Sequence, residues 1–287
     1  MQLPVKGHAR DTNLLVESET VFAVLERLEV DPPAPDLAGL RTVYEAWCRG
    51  VPFDNVLKLI HTAAKRPGPL PGSTTESFFA AWLEHGTGGT CWAGNAALHD
   101  LLEALGFEVE RAIATMLSSP EARGPNHGTV IVTVEGERWI ADASILSGEP
   151  IRIPAAGEPA TSAPLPRFEW LDGRPAVIWR MLRAPEGFPC RVDRVGALAG
   201  EWDEWHQRTG AWSPFNYQLN VRVMRDGASL GVSAGHRFVF DAGGSLSASE
   251  LDRHERVRFL VEEIGIAEGI AVQVPDDRPM PVRPEGH

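Results

Sequence analysis

The sequence has few cysteines and no long hydrophobic run. Three of its 287 residues are cysteine, and the wide spacing of Cys48, Cys91 and Cys190 excludes a disulfide framework. No apolar run reaches the roughly 18 residues of a membrane span, so we expect no transmembrane helix. The N-terminal residues 1–8 lack the apolar core of a signal peptide. These absences predict a cytoplasmic protein, in which a single cysteine can act as a nucleophile.

Basic residues and metal-binding signatures are also scarce. Lys and Arg number 27 against 39 Asp and Glu, which gives a formal net charge of −12. This balance argues against a nucleic-acid partner, and any anionic cofactor would have to be held by local arginines and backbone amides. The chain has no His-Glu-x-x-His motif, no paired Cys-x-x-Cys motif and no Gly-Lys-Ser phosphate signature. We therefore expect no metal ion, no nucleotide hydrolysis and no membrane association.

Apolar periodicity divides the chain into a helical first third, a β-rich middle and a mixed final part. A chain of this length is expected to form two or three subdomains. The pattern predicts an antiparallel sheet or small barrel after Gly106 and a proline-rich, loosely attached tail from Pro275. The predicted helices span residues 19–30, 36–50, a short stretch to about 64, 75–85, 91–105, 194–208 and 247–265. The predicted strands span 107–117, 127–134, 138–143, 149–153, 166–171, 176–182, 216–224, 228–233 and 236–240.

The stretch from Gly86 to Phe107 carries the strongest chemical signal. A glycine-rich turn leads into Thr90 and Cys91, and apolar residues then recur at helical spacing as far as Gly106. Thr90 is a suitable N-cap, which places Cys91 in the first turn of a helix. The free N–H groups and the positive end of the helix dipole there stabilise a thiolate. Cys91 is therefore a candidate nucleophile, whereas the usual role of a lone cysteine is a buried structural thiol.

A cysteine nucleophile needs a base, and the base needs an orienting group. His127 begins a predicted strand, and Asp142 lies at the end of the next strand of the same hairpin. The start of one strand and the end of its partner lie together, so we expect these side chains to be adjacent. Cys91, His127 and Asp142 thus form a predicted catalytic triad: His127 takes the thiol proton, and Asp142 fixes the imidazole. Taken singly, His127 suits a strand edge and Asp142 suits a turn.

Three segments resemble the arylamine N-acetyltransferase family. Residues 88–95 (Gly-Gly-Thr-Cys-Trp-Ala-Gly-Asn) resemble the family's Arg-Gly-Gly-x-Cys-x-Glu-x-Asn pattern. Residues 51–55 (Val-Pro-Phe-Asp-Asn) resemble its Pro-Phe-Glu-Asn segment, and residues 213–215 (Ser-Pro-Phe) resemble the entry to its third domain. The resemblance covers roughly residues 15–240 and therefore concerns the whole fold.

This resemblance implies an α+β fold with a cysteine-protease-like core. A helical bundle (1–90), an antiparallel β-barrel domain that starts with the catalytic helix (91–190) and an α/β lid (191–287) are expected. It also implies ping-pong transfer of an acetyl group from acetyl-CoA through Cys91 to an arylamine, arylhydroxylamine or hydrazine.

The resemblance further assigns residues to binding. Phe53 and Trp92 are expected to contact the amine substrate, although Phe53 on its pattern alone suits the core. Gly148, Thr209 and Ser213 are expected to contact the coenzyme, although Thr209 and Ser213 equally suit loop caps.

The sequence departs from the family pattern at several positions. Thr87 stands where the family has arginine, Ala93 where it has glutamate, and residues 210–211 are Gly-Ala where it often has His-Pro. These departures leave other functions open. One is an amide synthase that takes its acyl chain from an acyl carrier protein. A second is a transglutaminase-like cysteine amidase or hydrolase, and a third is a binding module that has lost the reaction.

Overall fold

The fold was derived from a computed structural model that describes residues 18–118, 124–155, 158 and 165–282. The expectation for the N-terminal residues 1–8 lies outside these ranges. The described chain combines helices with two antiparallel sheets, so the predicted α+β class is confirmed. No helix in the described ranges has the length and apolar character that crossing a membrane would require.

The helices of the first third lie close to their predicted positions. The Asp36 carboxylate accepts a hydrogen bond from the Gly39 N–H (2.8 Å) and caps the second helix, and the fourth begins with a capping box between Thr74 and Ser77. The fourth helix ends at Gly86, whose φ of 72° is the left-handed conformation that glycine adopts most readily. The α-helices of the described residues are α1 (Ser18–Leu28), α2 (Leu37–Gly50), α3 (Val56–Ala63), α4 (Thr75–His85), α5 (Cys91–Ala104), α6 (Ala199–Ala211), α7 (Arg253–Phe259) and α8 (Glu268–Ala271).

The larger sheet has seven antiparallel strands, whose two edge strands approach each other so that it forms a nearly closed barrel. Its strands are β2 (Glu108–Met116), β3 (His127–Val134), β4 (Glu137–Ala141), β5 (Ile151–Ile153), β6 (Arg167–Leu171), β7 (Arg174–Met181) and β8 (Ala184–Val195), in the order β5-β4-β3-β2-β8-β7-β6. Strand β8 was not predicted, because Gly187 and Pro189 weaken its strand signal. It continues past residue 190, and the three-part division of the chain stays a prediction.

The smaller sheet has five antiparallel strands and recruits one of them from the first third of the chain. Its strands are β1 (Phe53–Asp54), β9 (Asn220–Arg225), β10 (Ala228–Ser233), β11 (His236–Phe240) and β12 (Leu246–Glu250), in the order β1-β9-β10-β11-β12. The helix predicted over 247–265 is wrong at its start. Residues 246–250 pair with β11, and the Asp252–Glu255 capping box begins α7 only afterwards. A π-helical turn then follows over Leu260–Ile264.

Two apolar cores position the site. Side chains of α1, α2, α4 and α5 share one core with β3 and β4, so α5 is clamped between the bundle and the barrel. The side chains of α3 instead pack with β9, β10 and the π-helical turn. The expectation of a loosely attached tail is wrong for its described start, because Asp277 accepts a hydrogen bond from the Leu219 N–H (2.8 Å) and the Arg278 N–H donates to the Tyr217 carbonyl (2.8 Å).

Candidate active site

The glycine-rich turn sets the start of α5. The Gly88 N–H donates to Asp54 Oδ2 (2.5 Å), and the Asp54 N–H donates to the Gly89 carbonyl (3.1 Å), so the turn is fastened to β1. A Cβ atom at Gly88 would lie 1.8 Å from the Pro52 carbonyl oxygen, so only glycine fits there. The chain then enters α5 through Thr90, as predicted, although the Thr90 side chain makes no capping bond.

Cys91 is the first residue of α5 and is 6% exposed. The unpaired N–H groups of the first helical turn surround such a position and favour negative charge there. Cys91 lies close enough to His127 to raise the pKa of its imidazole. The structure therefore brings the predicted nucleophile and the predicted base together.

The hairpin of β3 and β4 brings His127 to Asp142. His127 is the first residue of β3, and Asp142 directly follows β4. The distance from His127 Nε2 to Asp142 Oδ2 is 2.7 Å, and both side chains are buried. Because Nε2 faces the carboxylate, the other ring nitrogen is the one that Cys91 can reach. Cys91, His127 and Asp142 thus converge as the sequence predicts, while their catalytic roles stay a prediction.

Two residues that the sequence analysis did not single out hold Asp142. The Asn95 amide donates to the Gly128 carbonyl (2.7 Å) and accepts from the Ala143 N–H (2.9 Å), so it ties α5 to both strands of the hairpin. Tyr44 on α2 donates to the Asp142 carbonyl (2.9 Å), and its hydroxyl accepts from the Asp142 N–H (3.1 Å). The signal for Asn95 was available, because a polar side chain one helical turn after Cys91 falls within an otherwise apolar stripe.

The electrostatics favour an ionised pair. Burial by itself lowers the pKa of His127, but the charge of Asp142 and the contact with Cys91 outweigh it and raise the pKa to about 10. Burial likewise opposes ionisation of Asp142, but the charge of His127 and its hydrogen bond lower the pKa to about 2. The Asp142 Oδ1 atom also accepts from the N–H groups of Ser144 (2.8 Å) and Ile145 (2.9 Å). A protonated imidazole is the form that stabilises a thiolate beside it.

The predicted substrate contacts Phe53 and Trp92 lie on different elements and pack against different rings. Phe53 lies in β1, forms a bridge to Gly89, and has its ring 5.4 Å from that of Phe215. Trp92 is buried on α5, with its ring 5.0 Å from that of Trp202, and these two rings occupy the space that a side chain at Gly128 would need. A role of Phe53 and Trp92 in substrate binding stays a prediction.

The predicted coenzyme contacts have partners within the chain. The Thr209 hydroxyl accepts from Lys58 Nζ (2.8 Å) and donates to the His206 carbonyl (2.7 Å). The Ser213 hydroxyl accepts from the Phe215 N–H (3.3 Å), which is the loop-cap arrangement. Gly148 has a φ of 80°, a backbone conformation that residues other than glycine rarely adopt. Contacts of these residues with a coenzyme stay predictions.

Two of the departures from the family pattern, Thr87 and Ala93, lie in closely packed surroundings. Thr87 is buried, and its hydroxyl lies 3.4 Å from the Ala81 carbonyl, while Ala93 packs closely against Gly72 and Gly89, where a longer side chain has little room. The turn is braced by the buried Asp54. Burial raises the pKa of Asp54 to about 6, although hydrogen bonds from the backbone lower it.

A small pocket beside the turn is lined in part by Asp54, Lys58 and Thr90. Burial lowers the pKa of Lys58 to about 7, and the charge of Cys91 opposes this shift. Cys91 therefore has a buried amine nearby, which is about half protonated at neutral pH, in addition to the imidazole of His127.

Comparisons with known proteins agree with this architecture. The sequence model of a family described as N-acetyltransferase matches residues 36–170. An arylamine N-acetyltransferase of Mycolicibacterium smegmatis is 27% identical over 247 residues, which cover 77% of this chain and 82% of that protein.

Solved structures show the same fold. The arylamine N-acetyltransferase from Salmonella typhimurium superposes with a TM-score of 0.72 at 20% identity, covering 89% of this chain and 98% of that one. The Mycobacterium marinum arylamine N-acetyltransferase in complex with CoA gives 0.72 at 19% identity, covering 88% and 98%. Each of these two structures therefore covers most of this chain and nearly all of its own.

Proposed function

The chain is similar to arylamine N-acetyltransferases over most of its length, and from that premise we propose that it belongs to their family and that Cys91 carries an acetyl group from acetyl-CoA to the nitrogen of an arylamine or hydrazine. The enzyme is an acetyltransferase, and its acyl donor is acetyl-CoA. The single observation that carries the role of Cys91 is the buried line of contacts from its sulfur through His127 to Asp142.

The first half-reaction forms a thioester on the protein. His127 takes the proton of Cys91, and the sulfur attacks the carbonyl carbon of acetyl-CoA. A new sulfur–carbon bond forms, the bond from that carbon to the coenzyme sulfur breaks, and the coenzyme leaves as a thiol with the proton from His127. The N–H groups at the start of α5 supply hydrogen bonds to the developing oxyanion.

The second half-reaction returns the protein to its starting state. The amine nitrogen attacks the acetyl carbon, His127 takes the proton that the nitrogen releases, and the bond from that carbon to Cys91 breaks. The sulfur recovers its proton from His127. Asp142 holds the imidazole in one orientation and stabilises its charged form throughout.

Intact-protein mass spectrometry with acetyl-CoA and no amine tests this proposal. We expect the intact protein to gain the mass of one acetyl group, and a digest to place that group on the peptide that contains Cys91. The group should be transferred to aniline or phenylhydrazine when either is added. Cys91→Ala should remain unacetylated, whereas Cys190→Ala, which changes a buried cysteine in the barrel core, should still be acetylated. An unmodified Cys91 in the wild type would refute the proposal.

The same measurement separates the alternatives. Release of acetate with no acetylated amine would identify a thioester hydrolase instead. A donor attached to an acyl carrier protein stays a prediction, since the relatives described above are named for arylamine transfer and, in one case, for CoA.

A further inference from the structure

Arg222 is a buried arginine at the centre of β9. Its neighbours Val221 and Val223 point into the apolar core of the small sheet. Side chains alternate along a strand, so Arg222 points to the opposite face. That face is directed towards α2 and the barrel, and Arg222 is only 7% exposed.

Aromatic rings surround the guanidinium group. Its Cζ atom lies 4.4 Å from the ring centre of Trp179 on β7 and 5.8 Å from that of Phe53 on β1. Such rings stabilise a cation, most strongly where water is excluded. They offer no hydrogen-bond acceptor in the plane of the guanidinium, so its N–H donors still need partners.

Those donors have no acceptor in the ranges that the structure describes. No hydrogen bond or ion pair of the Arg222 side chain occurs there, and its Nε atom is buried without an acceptor. Burial lowers the pKa of Arg222 to about 10, while Asp142, Tyr44 and Cys48 oppose the shift from a distance. The group therefore remains charged at neutral pH, and a buried charge is normally paired.

Arg222 also lies next to the proposed reaction centre. It pairs directly with Phe53 across β1 and β9, and Phe53 bridges to Gly89, two residues before Cys91. The backbone of Arg222 is therefore separated from that of Gly89 by two strand spacings, one from β9 to β1 and one from β1 to the turn. Together they amount to about 10 Å, which is the length of a small substrate. An anionic group held by Arg222 would thus belong to a molecule that reacts at Cys91.

We propose that Arg222 is the receptor for a carboxylate group carried by the substrate. The inference rests on the proposed function, because a reaction at Cys91 defines where the rest of the substrate lies. The planar fork of N–H donors matches the two oxygens of a carboxylate, and the rings of Trp179 and Phe53 keep water from competing. The carboxylate belongs either to the acyl group of the thioester or to the amine.

Matched substrates distinguish these two sources. One arm compares 4-aminobenzoate with 4-aminobenzamide as acceptors of an acetyl group, and the other compares succinyl-CoA with acetyl-CoA as donors to aniline. In one of the two arms we expect the wild type to have the higher kcat/KM for the substrate that carries the carboxylate. In Arg222→Gln the ratio of the two kcat/KM values should fall by about 10- to 100-fold, mainly through KM. Arg222→Lys keeps the charge but not the fork, so it should restore the preference only in part.

Arg237→Gln is the matched control. Arg237 lies on β11 of the same sheet, stacks on Phe259 (5.7 Å) and pairs with Glu263 (2.9 Å), away from Cys91. We expect this variant to keep the preference of the wild type. Should Arg222→Gln fail to fold, as judged by circular dichroism, the partial loss in Arg222→Lys decides the question.

Several results would overturn the assignment. One is a wild type that prefers the uncharged partner in both arms, and another is a preference that survives in Arg222→Gln. If Arg222→Gln raised the KM for acetyl-CoA by the same factor whichever amine was the acceptor, Arg222 would bind the coenzyme phosphates instead.

A binding measurement separates this inference from the proposed function. Benzoate should slow the alkylation of Cys91 by iodoacetamide more than benzamide does, and only when Arg222 is present. That protection would support the carboxylate site even if no acetyl transfer occurred, whereas active enzyme without protection or preference would refute the site alone.

Discussion

The pKa values of His127 and Asp142 differ strongly from those of the free side chains. The pKa of His127 rises from 6.5 to about 10, and that of Asp142 falls from 3.8 to about 2, because each stabilises the charge of the other against burial. The two shifts describe one interaction and are counted once. The pair therefore contributes to folding as well as to the proposed chemistry.

The pH dependence of stability follows from these shifts. A raised pKa of His127 stabilises the fold fully below pH 6.5, and this contribution is lost as the pH rises through about 10. The lowered pKa of Asp142 stabilises it above pH 3.8, and this contribution is lost as the pH falls through about 2. We expect the wild type to exceed His127→Gln in free energy of unfolding by a constant amount between pH 4 and 6.5 and by less towards pH 10.

Urea unfolding of both proteins across this range measures the difference. Cys91 also faces the imidazole, so the series is repeated in a Cys91→Ala background, which removes the titration of the thiol. A difference between the two proteins that does not fall from pH 6 to pH 10 would show that the pKa of His127 is not raised in the folded protein.

At the scale of elements, the site depends on how the glycine turn delivers the chain into α5. The turn passes so close to β1 that a Cβ at Gly88 would lie 1.8 Å from the Pro52 carbonyl. Gly88→Ala must therefore push the turn away from β1 and move the start of α5. We expect a loss of stability of about 1–3 kcal/mol, typical of overpacking, together with slower alkylation of Cys91.

Gly200→Ala provides the control for this substitution. Gly200 lies in α6, and nothing lies within 4 Å of where its Cβ would be. The same change there should be neutral or stabilise the helix by up to about 1 kcal/mol. Equal effects of the two substitutions on unfolding and on alkylation would contradict the role given to the turn.

At the scale of the whole molecule, Asn55 fastens the first third of the chain to the small sheet. Its amide donates to the carbonyls of Phe215 (2.8 Å) and Gln218 (2.8 Å) and accepts from the Asn220 N–H (2.8 Å). These bonds hold β1 against β9, and with it Phe53 against Arg222. The sheet that carries Arg222 is therefore kept in place partly by a residue that is distant in sequence.

Removal of the Asn55 side-chain hydrogen bonds should loosen the small sheet without unfolding the barrel. Asn55→Ala leaves buried backbone groups without partners, so we expect a loss of about 1–3 kcal/mol and faster amide hydrogen exchange in β9. The amides of β3 serve as the internal reference, since they belong to the barrel. Exchange that becomes faster by the same factor in both sheets, or that changes in neither, would refute a local role of Asn55.

The sequence by itself determined the parts of the protein that depend on neighbours along the chain. The start of α5 follows from the glycine turn and Thr90, and the approach of His127 to Asp142 follows from a hairpin that separates them by 15 residues. Helical and strand periodicity located most helices of the first third and most strands of the barrel. These features are local because hydrogen bonding and side-chain period act over a few residues.

Only the tertiary structure decided what depends on distant contacts. The two-residue strand β1 has no pattern of its own, residues 246–250 become a strand because β11 is available to pair with them, and Asn55 reaches Asn220 across 165 positions. Arg222 likewise looks like an ordinary charged residue in a strand until Trp179 and Phe53 enclose it. Contacts of this kind arise from the packing of whole elements, for which a single sequence carries no local signal.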